Sequence, residues 1–360
     1  MSTHYGKNID LEIYGSSHDE KIGVIIKGLP IGTKINTAKL LSFMERRKPG
    51  QNAISTPRKE ADMPIFTEGV NNGVITGELV HAVIYNTNQK SQDYKALSCI
   101  LRPSHADYSA IMKYGKDVDL RGGGHFSGRL TAPLCIVGAI CIQLLEEKGI
   151  HIGAHLYSVG NQNDIPFDET NLSEDDIRNL HKSDFPAINA DCGKKMTEEI
   201  LNARAEGDSV GAVIECAAVG LPAGLGEHMF SGVENRISSI VFGIPAVKGI
   251  EFGNAFEGAK KRGSQSNDAF YTDGKKIYTK TNNCGGILGG MTNGMPLIFR
   301  AAMKPTPSIF CEQDSVDMNT MTNVKLKISG RHDPCVAVRA IPVFEAATAI
   351  AIFDMLLDKE

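Results

Sequence analysis

The sequence has no tryptophan, no Cys-x-x-Cys pair and no excess of basic residues, and the last two absences exclude classes of function. Its 38 lysines and arginines are outnumbered by 42 aspartates and glutamates, which gives a net charge of −4 and a pI near 6.2. Nucleic-acid-binding domains more often have a pI above about 9, so we expect no nucleic-acid partner. None of the eight cysteines has zinc-finger spacing. We therefore expect no metal site and interpret the cysteines as buried, reduced thiols.

Other common sequence signatures are also missing. There is no G-x-x-x-x-G-K-[ST] loop and no dinucleotide fingerprint, which argues against a P-loop enzyme and weakens the case for an NAD(P)-binding domain. The longest uncharged apolar run, 132–145, is shorter than the roughly 18 to 20 residues of a membrane span. The opening MSTHYGK lacks the apolar stretch of a secretory signal. We expect a cytoplasmic protein with no membrane partner.

What the sequence does contain is a mixture of strand-like and helix-like segments. A helix is predicted over 37–47, after the N-cap residue Asn36 and before Pro49-Gly50. The segments 133–145 and 346–357 are apolar almost all round, which is typical of helices buried on every side. The strand-like segments are 9–14, 22–27, 79–85, 210–219 and 297–303. This pattern indicates layers with helices in the middle and leaves both α+β and α/β open.

A run of cations lies at the end of the predicted 37–47 helix. Arg46, Arg47 and Lys48 precede Pro49-Gly50. Cations at a helix C-terminus interact favourably with the helix dipole, typically by about 0.3–1 kcal/mol. Arginine also offers a planar fork of donors that matches phosphate or carboxylate, and Arg58 follows in the next stretch. A helix-end role and an anion site both remain open.

Other polar stretches carry further candidates. Residues 121–129 (RGGGHFSGR) place three glycines before a predicted helix, where backbone N–H groups bind anions or simply form a turn. Residues 304–308 (KPTPS) put a cation and hydroxyls on a proline-stiffened loop suited to a phosphate. His18 and His105 are candidate proton carriers, since an unperturbed histidine titrates near neutral pH, but a structural role is equally open for each.

Together, and in this order, the motifs resemble those of the chorismate synthase family, and the resemblance runs nearly end to end. The matching runs are RRKPGQ at 46–51, STPRKEAD at 55–62, RPSHADY at 102–108, KYG at 113–115, GLPAGLGE at 220–227, IPAVKG at 244–249 and AIPVFE at 340–345, with further matches around Gly285, Lys304 and Arg331. So many ordered motifs do not arise by chance.

The resemblance implies an α+β fold, a β-α-β sandwich with buried central helices, as a single domain over residues 1–360. It implies a lyase of the shikimate pathway that forms chorismate by 1,4-elimination of phosphate from 5-enolpyruvylshikimate 3-phosphate. The expected cofactor is reduced FMN, and the expected assembly is a homotetramer. Some family members reduce their flavin with NADPH. Because this chain shows no extra domain for that step, we expect an external flavin reductase to supply the electrons.

The family's functional residues also map onto this chain. By that match His18 would protonate the departing phosphate, His105 would lie near the flavin ring, and Asp333 would relay a proton at flavin N5. The substrate's phosphate and two carboxylates require several cations, for which the candidates are Arg46, Arg47, Lys48, Arg58, Arg129 and Arg339. The expected FMN contacts are His125, Phe126, Ser127, Gly128, Ala246, Gly289, Lys304, Pro305, Thr306, Pro307, Ser308 and Arg331.

Two positions where the family customarily has arginine carry Ala53 and His125 instead. We hypothesise that His125 partly replaces its arginine, so that anion affinity there depends on pH. Two alternatives to the lyase stay open: a relative that binds a phosphate ligand or flavin but has lost catalysis, and a flavin oxidoreductase. Because His18, His105 and Asp333 are all present, we expect activity.

Overall fold

The structure, a computed structural model, describes residues 1–50, 54, 60–86, 99–183, 185–328, 330 and 332–359. Its helices are α1 (Thr37–Arg47), α2 (Asp107–Tyr114), α3 (Thr131–Glu147), α4 (Glu174–Leu180), α5 (Ala190–Ala205), α6 (Val233–Val241), α7 (Ala255–Gly258), α8 (Gly263–Ser266) and α9 (Ala337–Leu356). Its strands are β1 (Ser2–Tyr5), β2 (Asp10–Tyr14), β3 (Lys21–Lys27), β4 (Ile65–Glu68), β5 (Val70–Asn71), β6 (Val74–Ile75), β7 (Leu79–Tyr85), β8 (His151–Val159), β9 (Gln162–Asn163), β10 (Ala212–Val219), β11 (Val247–Phe252), β12 (Phe270–Thr272), β13 (Ile277–Thr279), β14 (Ile287–Leu288), β15 (Met291–Thr292), β16 (Leu297–Met303), β17 (Gln313–Asp317) and β18 (Thr322–Leu326).

Two antiparallel sheets form the outer layers. The first has the strand order β1-β2-β3-β7-β4, and the second has the order β11-β16-β10-β8-β9. In β3 the buried side chains of Ile22, Val24 and Ile26 share one face, because successive side chains on a strand point to opposite faces. In the second sheet β10 is buried along almost its whole length, so both of its faces are covered.

The helices α3 and α9 form the layer between the sheets. α3 contacts β3 and β7 of the first sheet, and α9 contacts β8 and β10 of the second. Every residue of α9 from Ala340 to Met355 is buried, as the apolar sequence predicts. Residues 128–147 are long and apolar enough to cross a membrane, but 83% of that stretch's most apolar window is buried inside the protein, as in a core helix. The α+β fold with buried central helices is therefore confirmed.

The two central helices touch at a glycine. A Cβ atom on Gly138 of α3 would lie 2.2 Å from the Cβ of Ala346 on α9, far inside the contact distance of about 3.5–4.0 Å. Only glycine permits this approach. The N-terminal ends of α3 and α9 consequently border one common cavity, with Thr131 at the start of α3 and Arg339 in the first turn of α9.

Candidate active site

A cavity of about 840 Å³ opens where the end of α1 meets the starts of α3 and α9. This volume lies in the upper part of the range of about 300–1,000 Å³ that is usual for ligand pockets. Further walls come from residues 102–107, 122–130, 242–248 and 303–308. We call it the cationic cavity because its described lining residues include six cationic side chains and only three carboxylates. These are Arg47, Arg102, Arg129, Lys248, Lys304 and Arg339, with Glu60, Asp107 and Asp333.

The turn at 121–126 explains the run of three glycines. Gly122, Gly123 and Gly124 have φ angles of 58°, 96° and 56°. A Cβ on Gly122 would lie 2.3 Å from Cε1 of His18, so the glycine lets the turn pack directly on that ring. His18 is buried, with Nδ1 3.3 Å from the Ser17 hydroxyl, and it does not belong to the cavity lining as described. The predicted proton donor thus lies behind the cavity wall.

His125 lines the cavity but directs both ring nitrogens at the protein. Its Nδ1 lies 2.8 Å from the Gly15 carbonyl, which only accepts, so Nδ1 carries a hydrogen. Its Nε2 lies 2.9 Å from the Thr3 hydroxyl. His125 therefore joins the glycine turn to the first sheet. This geometry gives no support to the hypothesis that His125 replaces an arginine as a pH-dependent anion donor.

A shared carboxylate holds two predicted cations together. Asp62 is 1% exposed and accepts hydrogen bonds from Nη1 of Arg47, at 2.8 Å, and from Nη1 of Arg129. Nε of Arg129 donates to the Asn86 side-chain carbonyl at 2.9 Å. Its Nη2 is buried and has no hydrogen-bond partner among the described residues, with the Glu60 carboxylate 4.0 Å away. Nη2 of Arg129 is thus a donor available to an anion in the cavity.

Arg47 is engaged more completely by the protein. Its Nε donates to the Thr131 hydroxyl at 3.0 Å, and its Nη2 donates to the Gly128 carbonyl at 2.9 Å. Burial lowers the pKa of Arg47 to about 10, although Asp62 opposes this effect. Arg47 therefore ties α1 to the start of α3 and contributes charge to the cavity rather than open donors.

Two neighbouring predicted cations do not reach the cavity. Arg46 forms hydrogen bonds of 2.5 and 2.8 Å with the fully buried Glu345, and Lys48 pairs with Glu45 one turn earlier. Consecutive residues leave a helix about 100° apart, so Arg46 and Arg47 serve different faces of α1. The expectation that Arg46 and Lys48 bind substrate is therefore not retained.

His105 lines the cavity and also uses both ring nitrogens. Its Nδ1 lies 3.0 Å from the Pro103 carbonyl, which only accepts, so Nδ1 carries the hydrogen. Its Nε2, 2.8 Å from the Ser308 Oγ, then accepts a hydrogen bond from that hydroxyl. Burial, reinforced by Arg102, lowers the pKa of His105 to about 4. At neutral pH His105 is consequently a neutral acceptor, and it cannot donate a proton from Nε2.

Arg339, in the first turn of α9, forms an ion pair and also a hydrogen bond to the end of α1. Nη1 of Arg339 donates to the Asp333 carboxylate at 2.6 Å, and its Nε donates to the Arg47 carbonyl at 3.1 Å. Both Asp333 and Arg339 line the cavity, as predicted. The pair places a carboxylate and a cation side by side on the wall.

The 304–308 loop follows β16 and carries donors suited to a phosphate. The backbone N–H of Lys304 donates to the Ala246 carbonyl at 2.9 Å, and its Nζ donates to the Ser104 carbonyl at 2.6 Å. Ala246 and Ser104 have φ angles of 77° and 58°, which are uncommon for non-glycine residues and concentrate at functional sites. The hydroxyl of Thr306 is buried without a hydrogen-bond partner in the described part of the chain. It is thus open to a ligand.

The remaining predicted residues divide into three groups. Pro305 and Gly289 do not line the cavity, and Gly289 lies in the exposed turn between β14 and β15. Arg58 and Arg331 lie outside the described residues, as does Ala53. Among the residues that the structure does describe, no group of His, Cys, Asp and Glu side chains could hold a metal ion. Lining the cavity as predicted are Phe126, Ser127, Gly128 and Pro307.

Sequence reasoning missed several residues of this site. Asp62 joins two arginines that are 15 and 67 residues away along the chain. Arg102 forms a two-point pair with Asp107, at 2.8 and 2.6 Å, and Lys248 lines the cavity beside Lys304. Asp62 in the 55–62 motif and Asp107 in the 102–108 motif were the sequence signal that could have indicated partners for the arginines. Nothing local in the sequence marks Asn86.

A cavity of this size with six cationic lining side chains is of the kind that binds small anionic molecules. The family model for chorismate synthase matches residues 9–357. A chorismate synthase from Lancefieldella parvula is 41% identical over 367 residues, covering 99% of this chain and 96% of the relative. One from Thermococcus kodakarensis is 44% identical over 352 residues, covering 98% and 97%. A crystal structure of a chorismate synthase superposes with a TM-score of 0.77 at 27% identity, covering 99% of this chain and 93% of the other.

The chain therefore belongs to the chorismate synthase family. Its function is that of a chorismate synthase, a lyase of aromatic biosynthesis. Membership of this family implies a flavin cofactor and a small-molecule substrate.

Proposed function

We propose that the enzyme catalyses the elimination of phosphate from 5-enolpyruvylshikimate 3-phosphate to give chorismate. The reaction takes place in the cationic cavity, with reduced FMN bound in the same cavity. The supporting observation is the convergence of unsatisfied donors there, Nη2 of Arg129 and the hydroxyl of Thr306, among six cationic side chains. Substrate and FMN are both anions, and buried anions require charged or hydrogen-bonding partners. The cavity offers such partners on two sides.

We assign the substrate and the FMN phosphate to different parts of the cavity wall. Arg129 and Arg339 bind the substrate, and the positive charge of Arg47 supports them from behind. Lys304, Thr306 and Ser308 hold the FMN phosphate. When bound, reduced FMN supplies transient electron density to the allylic system of the substrate. Stabilisation of the charge on the departing phosphate then falls to Arg129, because its Nη2 is held in place before the reaction.

Proton handling is assigned to three residues. His105, neutral near pH 7, accepts the Ser308 hydrogen and so turns the oxygen lone pairs of that hydroxyl toward the ligand. The elimination also removes a proton from the substrate ring, and Asp333 would take up that proton by way of the bound flavin. His18, whose ring packs against Gly122 of the cavity wall, remains our proposed proton donor to the departing phosphate. We expect His18→Asn to lower kcat by about 10²-fold or more while KM changes little, because general acid catalysis typically contributes that much. An increase of KM alone would contradict this role.

The test is anaerobic turnover of the purified protein with the substrate, FMN and dithionite. We expect chorismate absorbance and inorganic phosphate to appear in equal amounts, and neither to appear when the flavin is left oxidised. Flavin binding without product would instead support a relative that has lost catalysis. Replacing dithionite with NADPH separates self-reduction of the flavin from dependence on an external reductase, which is the source that we propose.

A matched pair of lysine variants tests the phosphate assignment. Lys304→Ala removes an ammonium from the cavity, whereas Lys325→Ala removes a fully exposed lysine on β18 that pairs with Asp314. Because a hydrogen bond to a charged group contributes about 1.5–3 kcal/mol, we expect Lys304→Ala to weaken FMN binding at least about tenfold. Lys325→Ala should bind FMN as the wild type does. Equal affinities for all three proteins would refute the assignment.

Wider expectations complete the proposal. We propose that residues 1–360 fold as one domain, that the chain forms a homotetramer, and that it acts in the cytoplasm. One cluster of buried apolar residues includes members of both sheets and both central helices, which favours a single domain. Light scattering during gel filtration would measure the assembly, and a monomer at micromolar concentration would contradict the tetramer.

A further inference from the structure

Asp62 is a buried carboxylate behind the wall of the cationic cavity, and it does not itself line the cavity as described. Its two oxygens accept hydrogen bonds from different arginines, Oδ1 from Arg129 and Oδ2 from Arg47. Its backbone has a φ of 47°, in the left-handed region that few non-glycine residues adopt. A buried carboxylate that bridges two cations of a site indicates a task at that site.

The task follows from what each bond fixes. Arg129 is held through Nε by Asn86 and through Nη1 by Asp62, so the plane of its guanidinium is set. Nη2 has no hydrogen-bond partner in the part of the chain that the structure describes, so it remains for a ligand. The Nδ2 of Asn86 donates to the Asp19 carbonyl at 2.7 Å, which also ties this guanidinium to the turn that carries His18.

We propose that Asp62 is a positioning residue for the elimination, which holds the guanidiniums of Arg47 and Arg129 so that Nη2 of Arg129 meets the anionic substrate. Asp62 also supplies the negative charge that lets these two buried cations lie together. Burial lowers the pKa of Arg47, and both Arg339 and Arg129 lower it further, while Asp62 raises it. Without that carboxylate the two guanidiniums would repel each other and turn apart. This inference rests on the proposed binding of substrate by Arg129.

The test is Asp62→Asn, because asparagine keeps the size of the side chain and tolerates a left-handed backbone. We expect KM for the substrate to rise and kcat to fall, each at least about tenfold, because Arg129 both binds the substrate and stabilises the charge on the departing phosphate. The matched control is Asp354→Asn. Asp354 is equally buried, at 1% exposed, and pairs with Arg236 away from the cavity. This control should lower the melting temperature and leave KM unchanged.

Further variants separate the possible failures. If Asp62→Asn and Asp354→Asn both lower the melting temperature and both leave KM unchanged, Asp62 is merely structural and the inference is overturned. If Arg129→Lys also leaves KM unchanged, the assignment of Arg129 to the substrate fails as well. Asn86→Ala removes the other support of Arg129 and should raise KM in the same direction. Should Asp62→Asn not fold, an unchanged KM in Asn86→Ala would overturn the positioning of Arg129.

Discussion

Replacing Gly138 with alanine should separate the central helices and thereby weaken both stability and activity. The added Cβ would lie 2.2 Å from the Cβ and 2.4 Å from the Cα of Ala346, so α3 and α9 must move apart by more than about 1 Å. Overpacking a core typically costs about 1–3 kcal/mol, and this contact is backbone as well as side chain, so we take the upper end. The higher helix propensity of alanine offsets this by about 1 kcal/mol of folding free energy. The expected net loss in the free energy of unfolding is about 2 kcal/mol.

Urea unfolding measures this loss, and the control is Gly263→Ala. Gly263 lies in α8 with no atom within 4 Å of an added Cβ, so that substitution should cost nothing. The double variant Gly138→Ala/Ala346→Gly restores space and should be more stable than Gly138→Ala alone. A wild-type midpoint for Gly138→Ala, or no recovery in the double variant, would refute the packing argument.

The same variant should also impair catalysis. α3 begins just after Arg129, and α9 carries Arg339 in its first turn, so a separation of the helices displaces two proposed substrate ligands. A misplacement of about 1 Å can cost up to about 10²-fold in rate. We therefore expect kcat/KM of Gly138→Ala to fall more steeply than its stability alone would require at 25 °C, where most molecules remain folded.

Four further predictions follow from the titratable groups. Histidine NMR should give His105 a pKa of about 4, and a midpoint near 6.5 would contradict its buried, neutral state. Burial lowers the pKa of His155, but its hydrogen bonds with Asp164 and Glu215 raise it more, so its stabilising contribution is full below about pH 6.5 and is lost as the pH rises through its folded-state pKa. The urea midpoint of the wild type should therefore fall as the pH rises through this range. The free energy of unfolding of His155→Gln should be about 3–5 kcal/mol lower at low pH and should not show this dependence on pH. Because both ring nitrogens of His125 contact the protein, phosphate affinity in wild type and His125→Arg should vary identically between pH 6 and 8, and a divergence would restore the replacement hypothesis. Ellman's reagent should label at most four thiols in the native protein and eight after unfolding, the native ones being Cys99, Cys192, Cys284 and Cys311.

Much of the fold could be predicted because local and global patterns agree. The strands at 79–85 and 297–303 and the helix α1 with its Asn36 cap lie at the predicted residues. The all-round apolar segments became the central helices. The helix α5 begins at Ala190, because Asn189 caps it by accepting hydrogen bonds from two backbone N–H groups. That cap lies in a polar stretch with no apolar periodicity to reveal it.

The site could be predicted in composition but not in pairing. Of the predicted cations and histidines that the structure describes, six line one cavity and three do not; the six are Arg47, His105, His125, Arg129, Lys304 and Arg339. Which of two adjacent arginines faces a ligand depends on where the buried carboxylates lie, and Glu345 is 299 residues from Arg46. The Pro103 carbonyl fixes the tautomer of His105 locally, but the hydroxyl from which its Nε2 accepts belongs to Ser308, 203 residues away. Such pairings arise only when the chain is folded.

The pairing also explains how a cationic cavity is compatible with a stable, slightly acidic protein. Arg47, Arg102, Arg129 and Arg339 pair with three carboxylates of the chain, Asp62 serving two of them, so part of the positive charge of the wall is neutralised before any ligand arrives. The affinity for an anion must then come from the donors that these pairs leave open, above all Nη2 of Arg129, rather than from the number of cations. The absence of a customary arginine at position 125 is compatible with function for the same reason. The imidazole there fixes the glycine turn next to Arg129, and in the function that we propose binding depends on the fixed orientation of that one guanidinium.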